Sequence, residues 1–275
     1  MKIHSPTQVG MSLLFMCALG IAYDVFINES EALINWFLVL IFLFIALYVF
    51  KAQTDYWWHK EYPLPIEPEI KKWLVHNFPF YNSLEGETKQ KFEDRLGLYI
   101  EARLFTSLGS KEREVPEDLK AMIAAHAVRV TLNYEDFLIG DFDRIMMYKH
   151  PFPTPKHQYL HIVETEVEDG VIIFTLDYLL NGVLKPDQYY NIAYHAYVEA
   201  FCKQNPTIDF SFLETVTKDH MHLISGFKVE DLLTTLGYKS LDPVPVIITY
   251  YFTFRDNFID LLPDVVAELD DIFAV

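Results

Sequence analysis

The sequence predicts an α+β fold preceded by a two-helix transmembrane hairpin. Three observations predict it. Two long apolar runs fill the first fifty residues. Helical patterns then flank a middle stretch that alternates like strands, and no repeat or low-complexity segment points to another architecture. The 275 residues suffice for one or two domains with a substantial core. Apolar residues make up 51% of the chain and aromatic residues 16%, a richness expected of a membrane segment joined to a soluble domain.

The hairpin comes first. Residues 9–23 are almost unbroken apolar sequence, which resumes as VFI after Asp24. After a polar break, residues 32–50 hold only Asn35 as a strongly polar member. The second run is long enough to cross a bilayer core as a helix and the first is close to it. The expected helices are therefore about 9–27 and 32–50, within a hairpin over 1–52. Trp36 at one end and Tyr48, Tyr56, Trp57 and Trp58 at the other suit the two interfaces. A cleaved signal peptide competes for the first run, given Lys2 and its apolar core, but leaves the second unexplained. A buried soluble helix also competes, although runs apolar on every face are rare there. The connecting loop carries Glu29 and Glu31, whereas Lys2, Lys51 and Lys60 lie on the other side. That bias places both termini, and the domain that follows, in the cytoplasm.

Charge narrows the partners. The chain has 22 Lys+Arg against 39 Asp+Glu, a net −17, which argues against a surface that tracks phosphates; no nucleic-acid partner is expected. The excess acid persists beyond residue 50, so that part should be repelled by an anionic leaflet. The two cysteines form no disulfide framework and no thiolate metal pair.

A proline-rich linker, EYPLPIEPEI, lies within residues 53–74, and the soluble domain is expected over 75–275. Residues 87–108 carry apolar positions at helical spacing, and Pro116 opens a second helix. FDRIMMY, LHIVETEV and VIIFTL read as strands, with Asp169-Gly170 as the turn between the last two. Residues 187–204 return to helix, closed by Asn205-Pro206. The apolar block VPVIITYYFTF and a terminal helix from Pro263 complete the chain.

The chemistry gathers at NIAYHAYVEAF. Zinc hydrolysis on a helix uses H-E-x-x-H. Two histidines four apart share one face and reach one ion, and the glutamate after the first acts as general base on metal-bound water. Here His195 and Glu199 hold the two ligand positions and Ala196 holds that of the base. A carboxylate can ligate zinc; alanine can accept no proton. His195 and Glu199 can also simply pair along the helix. His157 and His161 read as loop into strand, with Glu164 on the opposite face. His220 and His222 read as surface histidines on a polar loop, and His126 as one side of an amphipathic helix making a local hydrogen bond. Tyr190, Tyr194, Tyr197 and Phe201 form a helical stripe expected to fill the cleft above His195.

Several segments, in order, resemble the MtfA-like zinc peptidases. Phe80, Tyr81, Leu84 and Phe92 match an opening "YY-x-x-L…F" pattern. Ile123, Ala124, Ala125 and Ala127 match a helix, followed by Tyr148, Pro151 and Phe152. GVIIFTLDYLLNG is similar to a "G-x-V-x-L-S-W" strand, with Leu176 at the usual tryptophan. Asn191 to His195 match the "N-V-V-I-H" lead into the catalytic helix. The resemblance covers residues 75 to 275 and implies a zincin-like metallopeptidase domain. It also implies a third ligand, a glutamate, from a later helix. In LDPVPVIITYYFTF, matched through Asp242, Pro243, Phe252 and Phe254, Pro245 stands at that ligand position and Phe252 at a second glutamate. The expected protein is thus a degenerate member, a pseudoenzyme. It would need no cofactor, carry zinc only if His195 and Glu199 still hold it, and sit in a bacterial inner membrane through residues 9–50. Relatives act as peptidases, and one branch senses by binding a transcriptional repressor, which implies a regulatory role with an unidentified protein partner. Two alternatives stand beside this reading. One is an active membrane-tethered peptidase with a rearranged site using His195, Glu199 and an acid such as Glu214 or a later histidine. The other is a structural subunit of a membrane assembly.

Overall fold

The computed structural model describes residues 5–28, 31–109 and 114–273. Its contacts divide the chain into two units, residues 1–65 and 66–275.

In the first unit, α1 (Pro6–Ile27) begins at Ser5, whose hydroxyl accepts from the Gln8 N–H, with Pro6 supplying a φ ready for the first turn. After a 3₁₀ turn, α2 (Ile34–Val49) packs on α1, where Phe26 and Phe37 meet edge to face at 6.4 Å. Large apolar side chains such as Leu13, Phe15, Phe42 and Ile45 stay exposed on both helices. With 22 residues, about 33 Å, α1 is long and apolar enough to cross a bilayer. The 16 residues of α2 span only about 24 Å, less than a core of about 30 Å. The helix expected to reach residue 50 stops at Val49, and the chain turns by 69° into α3 (Lys51–Glu61).

Asp55 explains that turn in part. Its carboxylate accepts from Ser5 Oγ (2.8 Å), Thr7 N–H (3.0 Å) and Lys51 Nζ (2.8 Å), tying α3 to the start of α1. Burial alone would raise its pKa; the hydrogen bonds from Lys51, Thr7 and Ser5 outweigh burial and hold it at about 2. Lys2 and Glu29, which carry much of the charge bias across the hairpin, lie outside the described residues.

The second unit is mostly helical around a small mixed sheet. It opens with α4 (Pro68–Asn77), α5 (Pro79–Ser83) and α6 (Gly86–Ala102). The strands are β1 (Leu104–Leu108), β2 (Arg144–Tyr148), β3 (Val163–Glu166) and β4 (Val171–Thr175), with α7 (Glu117–Thr131) between the first two. Their order is β1-β2-β4-β3; β1, β2 and β4 run parallel, and β3 pairs antiparallel with β4 to form an edge. Then follow α8 (Leu176–Leu184), α9 (Ile192–Gln204), α10 (Lys218–Ser225), α11 (Val229–Leu236), α12 (Pro243–Thr253), α13 (Arg255–Leu261) and α14 (Pro263–Phe273). The centre is α9, packed against α7, α8, α12 and the β3–β4 side of the sheet. That explains its composition: residues 192–198 are all buried, so the helix is apolar on nearly every side.

Three expectations change. The helix expected over 87–108 ends at Ala102, and Leu104–Leu108 is a strand instead. Its parallel pairing with β2, forty residues away, outweighs the local helical spacing. The helix expected from Asp187 starts at Ile192, because the Asn191 side chain accepts from the Tyr194 N–H (3.1 Å) and caps it there. His220 and His222 lie on helix α10, where His220 completes a capping box with Thr217.

Candidate functional site

A cleft of about 540 Å³ opens where α9, the β3 edge and the 238–245 segment meet. Three residues of α9, each one turn apart, line it: His195, Glu199 and Lys203. Asn191, by starting the helix at Ile192, sets this face toward β3.

His195 is 2% exposed. Its Nδ1 is hydrogen-bonded to the Tyr190 hydroxyl at 2.8 Å. Tyr190 is brought there by a close approach: a Cβ on Gly182 of α8 would lie 2.4 Å from the Tyr190 carbonyl oxygen, so only glycine fits. Burial pushes the His195 pKa down; Glu199 and Asp242 oppose the shift and Lys203 adds to it.

Glu199 does not pair with His195. Its Oε1 lies 2.9 Å from Lys203 Nζ, and its Oε2 is buried without a hydrogen-bond partner. The Lys203 ammonium also donates to the Thr165 carbonyl at 2.7 Å, and the Tyr238 hydroxyl donates to the Val163 carbonyl at 2.7 Å. An edge strand offers its outward carbonyls for strand addition. On β3 two of them are already occupied from the cleft side. Tyr238 reaches that position because Gly237 (φ 78°) ends α11 so close to Leu160 that a Cβ would meet its carbonyl at 2.1 Å.

The remaining positions carry no metal chemistry. Ala196 is fully buried and has no polar side-chain atom. Pro245 lies in the first turn of α12, beside the Asp242 side chain that accepts from the Val244 N–H at 3.0 Å. Phe252 is not at this cleft: it stacks on Tyr194 at 5.1 Å and 16°. Glu214 is exposed in a 3₁₀ turn and does not line the cleft.

Two further expectations are corrected. The aromatic stripe does not fill the cleft. Tyr190 precedes α9, Tyr194 faces Phe252 and His126, Tyr197 meets Tyr99 and Phe174, and Phe201 packs on Tyr134 and Phe273. The groove over His195 therefore stays open and polar. Glu164 is also not on the far side of the strand from His161. The chain bends at Ile162, and His161 Nε2 meets Glu164 Oε2 at 2.7 Å in a buried pair. Both histidines also meet Tyr159, His157 at its hydroxyl and His161 Nδ1 at its carbonyl, each at 3.0 Å. His126 makes the expected local bond, Nδ1 to the Met122 carbonyl at 2.8 Å, but α7 is buried all round there rather than amphipathic.

Lys203 and Tyr238 were not singled out in the sequence, and Tyr190 was named only as part of the aromatic stripe, not as the partner of His195. Lys203 had a readable signal, since Glu199 and Lys203 stand four apart with the acid first, the favourable order for a helix pair. Tyr190 and Tyr238 had none, because their roles depend on Gly182 and Gly237 bringing distant segments together.

Among the described residues no group of three or more His, Cys, Asp or Glu side chains is placed to hold a metal ion. No curated protein sequence matches the chain. Residues 53–209, more than half of it, match the model of a family described as "Glucose-regulated metallo-peptidase M90". A metallo-peptidase family implies a metal, and the donor set over this cleft does not fit a catalytic zinc. Such an ion takes three protein ligands and keeps a water beside a base. Here His195 suits one ligand position, Glu199 is held by an ammonium, Pro245 offers no donor and Ala196 no base.

Proposed function

The chain belongs to the glucose-regulated metallo-peptidase M90 family, and from that premise we propose that it is a membrane-anchored member that has lost catalysis and works by binding a protein. The observation that carries this reading is the state of Glu199. Where a hydrolase would present a ligand to an ion, this carboxylate is joined to Lys203, whose ammonium continues to the Thr165 carbonyl. Loss of a general base alone lowers rates by about 10²–10⁴-fold even with a metal in place. Ala196 and Pro245 remove the base and a ligand together.

A binding role is supported by what remains. The cleft is open and lined largely by charged and polar side chains, among them Lys156, Glu166, Glu168, Lys239 and Asp242, which a protein partner could engage. The anchor is α1 with α2, placing the domain over 75–275 on the cytoplasmic face of a bacterial inner membrane. The length and apolar surface of α1 support this, although a signal sequence near an N-terminus has the same length and composition. His195 and Glu199 are read as vestigial ligands.

Peptide hydrolysis tests the proposal. The full chain in detergent, supplied with zinc, is expected to cleave a casein digest no faster than its His195→Ala variant. Turnover abolished by that substitution would favour the rearranged peptidase instead.

A further inference from the structure

A second cleft, of about 410 Å³, opens at another side of α9, reached by Tyr194 rather than by His195. Its walls include Phe78, Phe80, Tyr194 and Phe252, and two guanidinium groups line it, Arg129 from α7 and Arg255 from α13.

Arg129 is 8% exposed. One of its N–H groups donates to the Phe273 carbonyl at 3.3 Å, and its guanidinium lies 3.7 Å from the ring centre of Phe80 and 5.1 Å from that of Phe252. It makes no ion pair and no other hydrogen bond among the described residues. Asp270, the carboxylate whose field favours its charge, is already engaged: Oδ1 by the Tyr251 hydroxyl at 2.6 Å and Oδ2 by Arg255 at 2.8 Å. Arg255 in turn leaves Nη1 buried and without a partner. Two cations therefore share one engaged carboxylate in a cleft walled by rings, with the exposed Asp256 also on its lining.

A guanidinium keeps its proton even when buried, so the uncompensated charge is costly unless an anion completes it. Aromatic faces and one carbonyl return only part of that cost. A planar fork between rings matches a carboxylate or phosphate. We propose that this cleft binds a small organic anion, its carboxylate or phosphate received by Arg129 and Arg255 and its flat apolar body held among the ring edges of Phe78, Phe80 and Tyr194 that line it. The site is independent of whether the first cleft holds a metal.

Calorimetric titration of the full chain in detergent tests it, with phenyl phosphate, benzoate, inorganic phosphate and acetate as probes and benzyl alcohol as the neutral control. Saturable binding of an aromatic anion is expected, weaker for inorganic phosphate or acetate and absent for benzyl alcohol. The order of phenyl phosphate and benzoate distinguishes the two acid groups. Arg129→Met and Arg255→Gln should each weaken that binding about tenfold or more. Arg255→Gln gives the same reading if Arg129→Met fails to fold. No saturable binding of either aromatic anion, equal binding of benzyl alcohol, or binding unchanged in both variants would overturn the assignment.

Discussion

The two clefts beside α9 differ in how their charges are settled. At the first, the carboxylate of Glu199 is answered from within the chain by Lys203, which also occupies the β3 edge. At the second, Arg129 is buried with rings and a carbonyl around it and no ion-pair partner among the described residues. The difference teaches that one helix can border two clefts whose charges are settled in opposite ways. At one, a carboxylate is answered by a residue four positions away; at the other, a guanidinium has no ion-pair partner among the described residues.

The largest effect should come from what the clefts share. Tyr197 of α9 lines neither cleft and is fully buried, its hydroxyl 2.9 Å from that of Tyr99 and its ring against Phe174. Tyr197→Ala should destabilise the unit by about 4 kcal/mol, measured by denaturant unfolding, through lost burial and a cavity. A much smaller loss would mean that α9 is not the common support.

A pH titration separates the second side. His126 is buried beside Tyr194, and burial pushes its pKa down to about 4, the Met122 carbonyl opposing only in part. A histidine kept neutral by folding is protonated first in the unfolded chain. Its stability contribution is therefore complete above the unfolded pKa of about 6.5 and is lost as pH falls toward 4. Between pH 6.5 and 5 the loss should be about 2 kcal/mol, and His126→Gln should remove that part of the slope. An unchanged slope in the variant would assign the titration elsewhere.

A smaller effect is expected at the first cleft. Lys203→Met keeps the stem and removes the ammonium, leaving Glu199 and the Thr165 carbonyl without their shared donor. The loss should be about 1 kcal/mol, since the Glu199 side chain is partly exposed. Stability that rises instead would show that Lys203 is a burden retained for another reason.

How much of this was legible in the sequence follows from the range of the interactions. β2, β3, β4 and the Asp169-Gly170 turn were readable because alternation and turn chemistry are local. β1 was not, since only its pairing with β2 makes Leu104–Leu108 extended. The family was readable from ordered short patterns across the soluble part, and residues 53–209 carry the match. Within the site, His195, Ala196, Glu199 and Pro245 could be named from spacing and resemblance. That the groove stays open could not, because the sides toward which Tyr194, Tyr197 and Phe201 point are set by α6, α7, β4, α12 and α14. The buried His161–Glu164 pair escaped for a similar reason: a bend at Ile162 interrupts the alternation.

Zinc content tests the central claim most directly. The full chain, purified in detergent, equilibrated with zinc and passed through a desalting column, should retain far less than one equivalent, and His195→Ala should retain the same amount. One equivalent in the parent chain that disappears in His195→Ala would contradict the account, because His195 and Glu199 would then still hold an ion despite Lys203.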